Sequence, residues 1–179
     1  MSSFVVLTAV GPDRPGLVDE ISAFLAGKNV NIEDSRMAVL GGEFAIILLA
    51  SGEESVISNL KNDLDQIIKT TGLDILMKPT ISPFERKVEP SIPHRLHFTS
   101  LDHPGLVHEI TQVLHHFNIN IESMNTHVSN APISGSPVFN MQCIINIPAD
   151  KKLSAIKESF LELEHRLNID IEFETLETY

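Results

Sequence analysis

The sequence predicts an α+β protein of two similar units, each a four-stranded antiparallel sheet with two helices on one face. Two observations carry this prediction. The sequence motif from Asp13 to Ile21 recurs, with few changes, from Asp102 to Ile110. One small module therefore occurs twice in the 179 residues. Around each copy the apolar residues follow the order βαββαβ, which packs both helices on the same side of one sheet.

Along the first unit, stretches in which apolar residues have the spacing of a strand are interspersed with stretches in which they have the spacing of a helix. Turn residues follow the first strand, and an amphipathic helix after them ends at Gly27 and Asn29. Gly41 and Gly42 can supply the positive φ values of a tight hairpin. The predicted elements are strands at 4–10, 31–40, 43–50 and 73–78, with helices at 17–27 and from 56 to a stop at Gly72.

The second unit repeats this order, which is the ferredoxin-like arrangement. Its predicted elements are strands at 95–101, 120–128, 138–147 and 169–176, with helices at 106–117 and 153–167. One asymmetry is that the longer segment 129–137 replaces the glycine hairpin. We interpret that segment as a flexible loop; the alternative is a role in gating or partner contact.

The two units are predicted to be separate domains joined by a stiff strap. The segment 79–93 holds four prolines, which disfavour regular structure and stiffen a linker. The predicted boundaries are therefore 1–78 for the first domain, 79–93 for the linker and 94–179 for the second domain.

Composition and charge exclude several classes of function. The formal net charge is −11, and no basic cluster is longer than two residues, so we expect no direct binding to nucleic acid. The longest apolar run, 44–50, is too short to span a bilayer, and the start of the chain lacks the features of a signal peptide. The single cysteine, Cys143, excludes an internal disulfide and is expected to be an inert buried thiol in a cytoplasmic protein.

The repeated turn has the chemistry to hold a small zwitterion. Gly16 lets a ligand approach the backbone, and the first helix amides, from Leu17 and Val18, form an anion site suited to a carboxylate. Asp13 can accept from an ammonium group, and Asn31 offers both a donor and an acceptor. The second copy offers the equivalent groups at Asp102, Gly105, Leu106, Val107 and Asn120. Alternatively, Asp13 is only a helix cap, Asn31 a turn residue, and Gly16 is needed for geometry alone.

Both copies resemble the ACT domain, an amino-acid-sensing module of metabolic regulation. The resemblance rests on Asp-x-Pro-Gly-Leu-Val at 13–18 and 102–107, a helix, and then Asn-x-Asn-Ile-Glu at 29–33 and 118–122. The tandem arrangement and the wording Gly-Pro-Asp-Arg-Pro-Gly-Leu-Val are similar to the glycine cleavage system transcriptional repressor group. The resemblance implies a regulatory protein that responds to a small amino acid, glycine or serine.

The resemblance also implies where that effector binds. It would lie between paired ACT units, against the turn after the first strand of a unit and the start of a second strand. Matching positions are Asp13, Arg14, Pro15, Gly16, Leu17 and Asn31, with Asp102, His103, Pro104, Gly105, Leu106 and Asn120. Some ACT domains carry His and Asn where this chain has Gly11 and Asp13, and a carboxylate at the latter position favours the ammonium end of a ligand.

No motif predicts catalysis, a cofactor or a metal site. The sequence lacks a Gly-x-Ser-x-Gly elbow, a phosphate-binding loop, a Gly-x-Gly-x-x-Gly turn and a Cys-x-x-Cys pair. All eight histidines lie in the second half, and none is joined by carboxylates or cysteines at metal-binding spacing. A solvated, mildly pH-sensitive surface is expected instead, with His103 facing the turn.

The sequence therefore predicts a non-enzymatic, amino-acid-responsive regulator that forms a homodimer or a higher oligomer. Its effect on transcription would be indirect, through a DNA-binding regulator as protein partner. The alternatives are a stand-alone regulatory subunit of a metabolic enzyme, or an interaction module that binds no ligand.

Overall fold

The computed structural model describes residues 2–87 and 89–176. The chain divides into two compact units, Met1–Lys87 and Val88–Tyr179. Each unit has its own hydrophobic core, and each is described by itself below.

The first unit is a four-stranded antiparallel sheet with two helices on one face. Its elements are β1 (Ser2–Pro12), α1 (Leu17–Gly27), β2 (Asn31–Leu40), β3 (Glu43–Glu53), α2 (Glu54–Thr71) and β4 (Asp74–Thr80), followed by a 3₁₀ turn at Pro83–Glu85. The strand order is β2-β3-β1-β4, so β2 and β4 are the edges. Alternate residues of the central strands, such as Val5 and Leu48, are buried beneath the helices.

The second unit repeats the first. Its elements are β5 (Ser91–Leu101), α3 (Leu106–His116), β6 (Asn120–Asn130), β7 (Pro137–Pro148), α4 (Leu153–Leu167) and β8 (Asp170–Thr175). The strand order, β6-β7-β5-β8, is equivalent to that of the first unit, and all pairs are antiparallel. The predicted fold class is confirmed.

The helices are amphipathic, as their spacing predicts. In α2, the longest, Ile57, Leu60, Leu64 and Ile67 are buried, while the opposite face is exposed. Gly72 ends this helix in the left-handed region at a φ of 74°. Among the described residues, no helix is both long enough and apolar enough to cross a membrane.

The prediction that 79–93 lacks regular structure is wrong at both ends of that segment. β4 continues to Thr80, and Pro79 is tolerated there because β4 is an edge strand whose outer side needs no donor. β5 begins at Ser91, ahead of Pro93, which pairs with β7 and whose carbonyl accepts from the Leu176 amide, just after β8, at 2.9 Å. Pro79 therefore lies on the unpaired edge of a sheet, and Pro93 lies at the end of a ladder where only its carbonyl is needed.

Both ends of the segment 129–137 are strand, and six of its nine residues form the loop. Ser129 and Asn130 pair with the start of β7, so the hairpin tip is only 131–136. Within the tip, the Ala131 amide donates to the Ser136 carbonyl at 2.8 Å, and the Gly135 amide donates to the Ala131 carbonyl at 2.9 Å. The prediction underestimated how far ladder pairing extends from the core.

Cys143 lies in β7 within the second core, as predicted, and is 1 % exposed. Burial raises the pKa of its thiol to about 11. Because the thiolate is the reactive form, this side chain is inert near neutral pH.

Candidate functional site

The backbone of the first turn is fixed by glycine. Gly16 is the N-cap of α1 and has a φ of 94°, a conformation that side chains other than glycine rarely adopt. Its carbonyl accepts from the Glu20 amide at 2.9 Å and starts the helix, while the Asp13 amide donates to the Gly42 carbonyl at 3.0 Å. The hairpin between β2 and β3 therefore holds the turn in place.

The second turn has the same backbone. Gly105 has a φ of 100° at the N-cap of α3, and its carbonyl accepts from the Glu109 amide at 3.0 Å. The Asp102 amide donates to the Pro137 carbonyl at 3.0 Å, which places the base of the longer hairpin where Gly42 lies in the first unit. The repeated phrase thus specifies one turn geometry twice.

Both turns present backbone amides and a carboxylate. Leu17 and Leu106 are each 2 % exposed, so they can contribute to a site only through their amides at the helix start, not through their side chains. Asp13 and Asp102 are exposed, and within residues 2–87 and 89–176 neither carboxylate accepts a hydrogen bond. The alternative that Asp13 is merely a helix cap is therefore wrong.

In the first unit a side chain of the protein covers the turn. Arg14 forms a bidentate ion pair with Glu20, at 2.6 and 2.7 Å, and points Nη2 toward the carbonyls of Thr70 and Thr71 at 3.4 Å. Glu20 Oε1 would lie 3.5 Å from a Cβ added to Gly16. A carboxylate of the chain thus occupies the space beside the helix start, where an incoming carboxylate would be attracted.

The second unit leaves the corresponding space open. Glu109, the counterpart of Glu20, instead pairs with Arg166 of α4 at 2.7 Å. His103 replaces Arg14, and its Nδ1 lies 3.1 Å from the Pro104 carbonyl oxygen. Apart from Gly105 itself and its two chain neighbours, no atom of the described residues lies within 4 Å of a Cβ added to Gly105. The two turns share a backbone but differ in access.

Neither asparagine lies near the turn of its own unit. Asn31 is level with Ser51 and Phe4, whereas the turn follows Pro12, eight residues along β1 and about 26 Å away at the rise of a strand. Asn31 Nδ2 donates to Glu33 Oε1 at 3.0 Å. Asn120 has the equivalent place in the second unit, level with Asn146. A single unit therefore does not bring the predicted set together.

The predicted sets of turn residues are otherwise adjacent within each unit. Pro15 and Pro104 precede the glycines in exposed positions, and Val18 and Val107 follow the buried leucines on the first helical turn. Val18 is 46 % exposed, while Val107 packs partly against the second core.

Sequence reasoning missed the residues that make the two turns different. Glu20 and Glu109 are identical in the two copies of the repeated phrase, and that identity was a usable signal. Arg166 gave no such signal because its counterpart in α2, two residues before the helix C-cap, is Thr70.

The histidines are not uniformly solvated, contrary to the prediction. His94 in β5 is 3 % exposed, and its Nδ1 lies 2.9 Å from the Ile92 carbonyl oxygen. Its ring meets Phe173 edge-on at 5.1 Å between centroids. The period of the strand was a usable signal, because His94 alternates with the core residues Leu96 and Phe98, whereas the half-buried His97 lies on the opposite face.

Comparison with known proteins agrees with the repeat and the fold. An ACT domain family model matches residues 3–78. The glycine cleavage system transcriptional repressor of Escherichia coli K12 is 30% identical over 169 residues, which cover 92% of this chain and 86% of that protein.

Two solved structures match the full length of the chain. A protein of unknown function from Galdieria sulphuraria has a TM-score of 0.81 at 27% identity, covering 99% of this chain and 100% of its own. A protein assigned provisionally as a glycine cleavage system transcriptional repressor has a TM-score of 0.70 at 25% identity, with 99% of each chain covered. The chain therefore belongs to the ACT-domain family, in the tandem group that contains the glycine cleavage system transcriptional repressor.

Proposed function

We propose that the chain is a non-enzymatic regulator that binds a small amino acid at the turn of its second unit. The observation that carries the proposal is the open space beside Gly105, flanked by helix amides and by the unpaired carboxylate of Asp102. Glycine or serine fits this site because nothing beside it calls for a large side chain. The relative from Escherichia coli is named for the glycine cleavage system, which supports the same choice.

The groups around the second turn suit both ends of an amino acid. The ligand carboxylate would accept from the amides of Leu106 and Val107, where the helix dipole favours an anion. The ligand ammonium would donate to Asp102. His103 stands beside Pro104 with a ring nitrogen that can donate to the ligand carboxylate when protonated.

The first turn is the weaker site in this proposal. Glu20 lies where the ligand carboxylate would approach Gly16, and its ion pair with Arg14 must open before a second carboxylate can enter. Like charges at that distance disfavour simultaneous occupancy.

An asparagine could reach a turn from a second copy of the chain. β2 is an edge strand whose ten residues are all exposed, and such an edge can accept another strand. An antiparallel β2 from a second copy would bring its Asn31 level with Leu40, close to Gly42, whose carbonyl holds the first turn. β6 is the equivalent exposed edge in the second unit and would carry Asn120 in the same way. This supports a homodimeric or higher assembly.

The regulatory output is proposed to pass through a protein partner. With a net charge of −11, the chain would repel the phosphate backbone, so an effect on transcription requires a DNA-binding partner. Ligand binding would favour one conformation of the chain, and the partner would bind that conformation with a different affinity.

A thermal-shift and calorimetry panel of the twenty amino acids tests ligand binding. We expect glycine or serine to stabilise the chain by ~2.7 kcal/mol at 100 times its dissociation constant. Asp102→Asn should weaken binding by at least about tenfold, the usual scale of a lost charge-assisted hydrogen bond. Asp13→Asn is the matched control and should leave the main binding event unchanged. A panel without any response contradicts the proposal and favours an interaction module that binds no ligand.

Co-purification from the native host tests the partner. We expect to capture a DNA-binding regulator, and we expect added amino acid to change whether that regulator is released or retained. Capture of a metabolic enzyme would instead support a regulatory subunit acting in trans. A gel shift of promoter DNA by the purified chain alone at physiological salt would contradict the indirect mechanism.

A further inference from the structure

The two units differ sharply on the sheet face that their helices do not cover. In the first unit, Val5, Leu7 and Ala9 of β1 point into the core, so the intervening residues lie on the opposite face. The apolar side chains on this helix-free face include Phe4, Val6, Val10, Ala38, Ala45, Ile47, Leu49 and Leu76, and the ion pair of Arg36 with Asp34 lies on the same face in β2. Val10 is 48 %, Ile47 50 % and Leu76 67 % exposed, so apolar surface continues across three strands.

The equivalent face of the second unit is polar. Arg95 pairs with Glu174 at 2.6 Å, and Thr99 donates to Asn140 at 3.3 Å. His97 lies 3.7 Å from Glu172. This fold therefore accommodates polar side chains on the sheet face that the helices leave uncovered. The first unit has apolar residues there instead, and contiguous exposed apolar surface of this kind marks an interaction site.

The apolar face has a pattern that is complementary to itself. Along β4, Asp74 and Lys78 stand two residues to either side of Leu76 on the same face. Leu76 is level with Thr8, which is level with Ile47 on the other side. A two-fold axis across the strands at this level would place Leu76 over its own copy. It would also place Asp74 over Lys78 of the second copy, twice in the pair. Arg36, which is level with Ile47 in β2 and is paired with Asp34, would lie over its own copy at the outer edge of the face.

The two charged side chains that this arrangement would bring together are accessible for contact. Asp74 and Lys78 are exposed, and within the described ranges neither side chain has an ion-pair partner. On a strand they are about 13 Å apart, too far to pair with each other within one copy. We propose that the helix-free face of the first unit binds the same face of a second copy of this chain. This goes beyond the proposed ligand response and does not depend on it.

The size of the face sets the strength of the association. The whole sheet face, four strands spaced about 4.8 Å apart and seven residues long, covers roughly 440 Å² per copy, and the three apolar strands make up about three quarters of it. The pair would bury about 900 Å², below the ~1,200 Å² lower limit of standard stable interfaces. Association is therefore expected to be reversible, with a dissociation constant in roughly the micromolar range.

Zero-length cross-linking tests the arrangement directly. A carbodiimide joins a carboxylate to an amine only when the two are in contact. A mixture of ¹⁴N- and ¹⁵N-labelled chains should yield Asp74–Lys78 cross-linked peptides that carry one light and one heavy half. Cross-linking of the chain without this peptide pair overturns the proposal.

Charge reversal followed by analytical ultracentrifugation provides the second test. Asp74→Lys and Lys78→Asp should each weaken association by at least about tenfold, because each turns two attractive contacts into two repulsive ones. The double reversal restores complementarity and should return the dissociation constant to within about threefold of the starting value. Asp65→Lys, on the exposed side of α2, is the matched control and should change nothing.

A central variant completes the test. Leu76→Glu places two carboxylates on the proposed axis, and the chain should then not associate through this face even at 200 times the original dissociation constant. Circular dichroism confirms that each variant is folded, which is expected because position 76 is exposed. A chain that is monomeric from the outset, or that associates equally well in all five variants, overturns the proposal and assigns the face to a different partner.

Discussion

The two turns of this protein have one backbone and two electrostatic arrangements. In the first, a guanidinium from the turn itself, Arg14, holds Glu20 over the helix start. In the second, a guanidinium from the neighbouring helix, Arg166, draws Glu109 away from it. The difference shows that a repeated motif can keep the backbone conformation of a turn without keeping the access of a ligand to it. Whether a turn is open depends on whether the arginine that pairs with its glutamate belongs to the turn itself or to the neighbouring helix.

Core truncations provide the largest expected effect and test whether the two scaffolds are equivalent. Leu25 and Leu114 occupy matching positions in α1 and α3, and each is 1 % exposed. Replacement of either by alanine should lower the free energy of unfolding of its own unit by about 2–5 kcal/mol. Denaturant unfolding with hydrogen exchange of each unit measures this. A difference above about 2 kcal/mol between the two variants would show that the scaffolds are not alike.

Alanine at the turn glycines tests the shared backbone. Gly16→Ala and Gly105→Ala each force a side chain into the left-handed region, which costs about 1–2 kcal/mol. We expect similar losses in the two variants because neither added Cβ would clash: the nearest atom, Glu20 Oε1 beside Gly16, lies at the ordinary contact distance of 3.5 Å. Denaturant titration provides the values, and a loss confined to one variant would contradict a common geometry.

Transfer of the first arrangement into the second unit tests the electrostatic difference. The double variant His103→Arg with Arg166→Thr gives the second turn its own guanidinium and removes the one on α4. Glu109 should then fold over Gly105, and amino-acid affinity should fall about tenfold, or ~1.4 kcal/mol, by calorimetry. Unchanged affinity in this variant would show that access to the turn does not limit binding.

Removal of the covering carboxylate is the reverse experiment. Glu20→Gln should open the first turn and leave Arg14 to attract a ligand, raising the stoichiometry from one to two per chain. Glu109→Gln is the matched variant of the second turn, and it should leave the stoichiometry at one. If Glu20→Gln also binds a single ligand, the first turn is closed for another reason.

A pH titration gives the smallest effect. The hydrogen bond from Arg14 lowers the pKa of Glu20 below its ordinary value of 4.5. A carboxyl whose folded pKa is depressed stabilises the fold above its unfolded pKa, and that stabilisation is lost as pH falls through the folded pKa. The Glu20 carboxyl carbon, followed by NMR, should titrate below pH 4.5 and return toward it in Arg14→Ala. An unshifted titration in the unmodified chain would show that the ion pair is not populated in solution.

The elements were predictable because apolar spacing reflects burial, but two features of the site were not. Strand ends such as Ser2–Ser3 were missed because pairing continues beyond the apolar core into polar residues. The chemistry of the residues grouped Asn31 with the turn of its own unit, and only the resemblance placed the effector between paired units. An antiparallel neighbour puts the start of β2 at the far end of the sheet. The pair Glu109–Arg166 joins two helices far apart in sequence, and such a pair leaves no local pattern.

The hairpin tip between β6 and β7 offers a practical handle on the second turn. Ile133 at the tip is fully exposed, while the Pro137 carbonyl that holds Asp102 lies at the hairpin base. Because Cys143 is buried, a cysteine introduced at position 133 would be the sole reactive thiol. A dye attached there would sit on the same hairpin as the anchor of the turn without touching the turn itself. The chain could then serve as a fluorescent sensor that reports its own ligand.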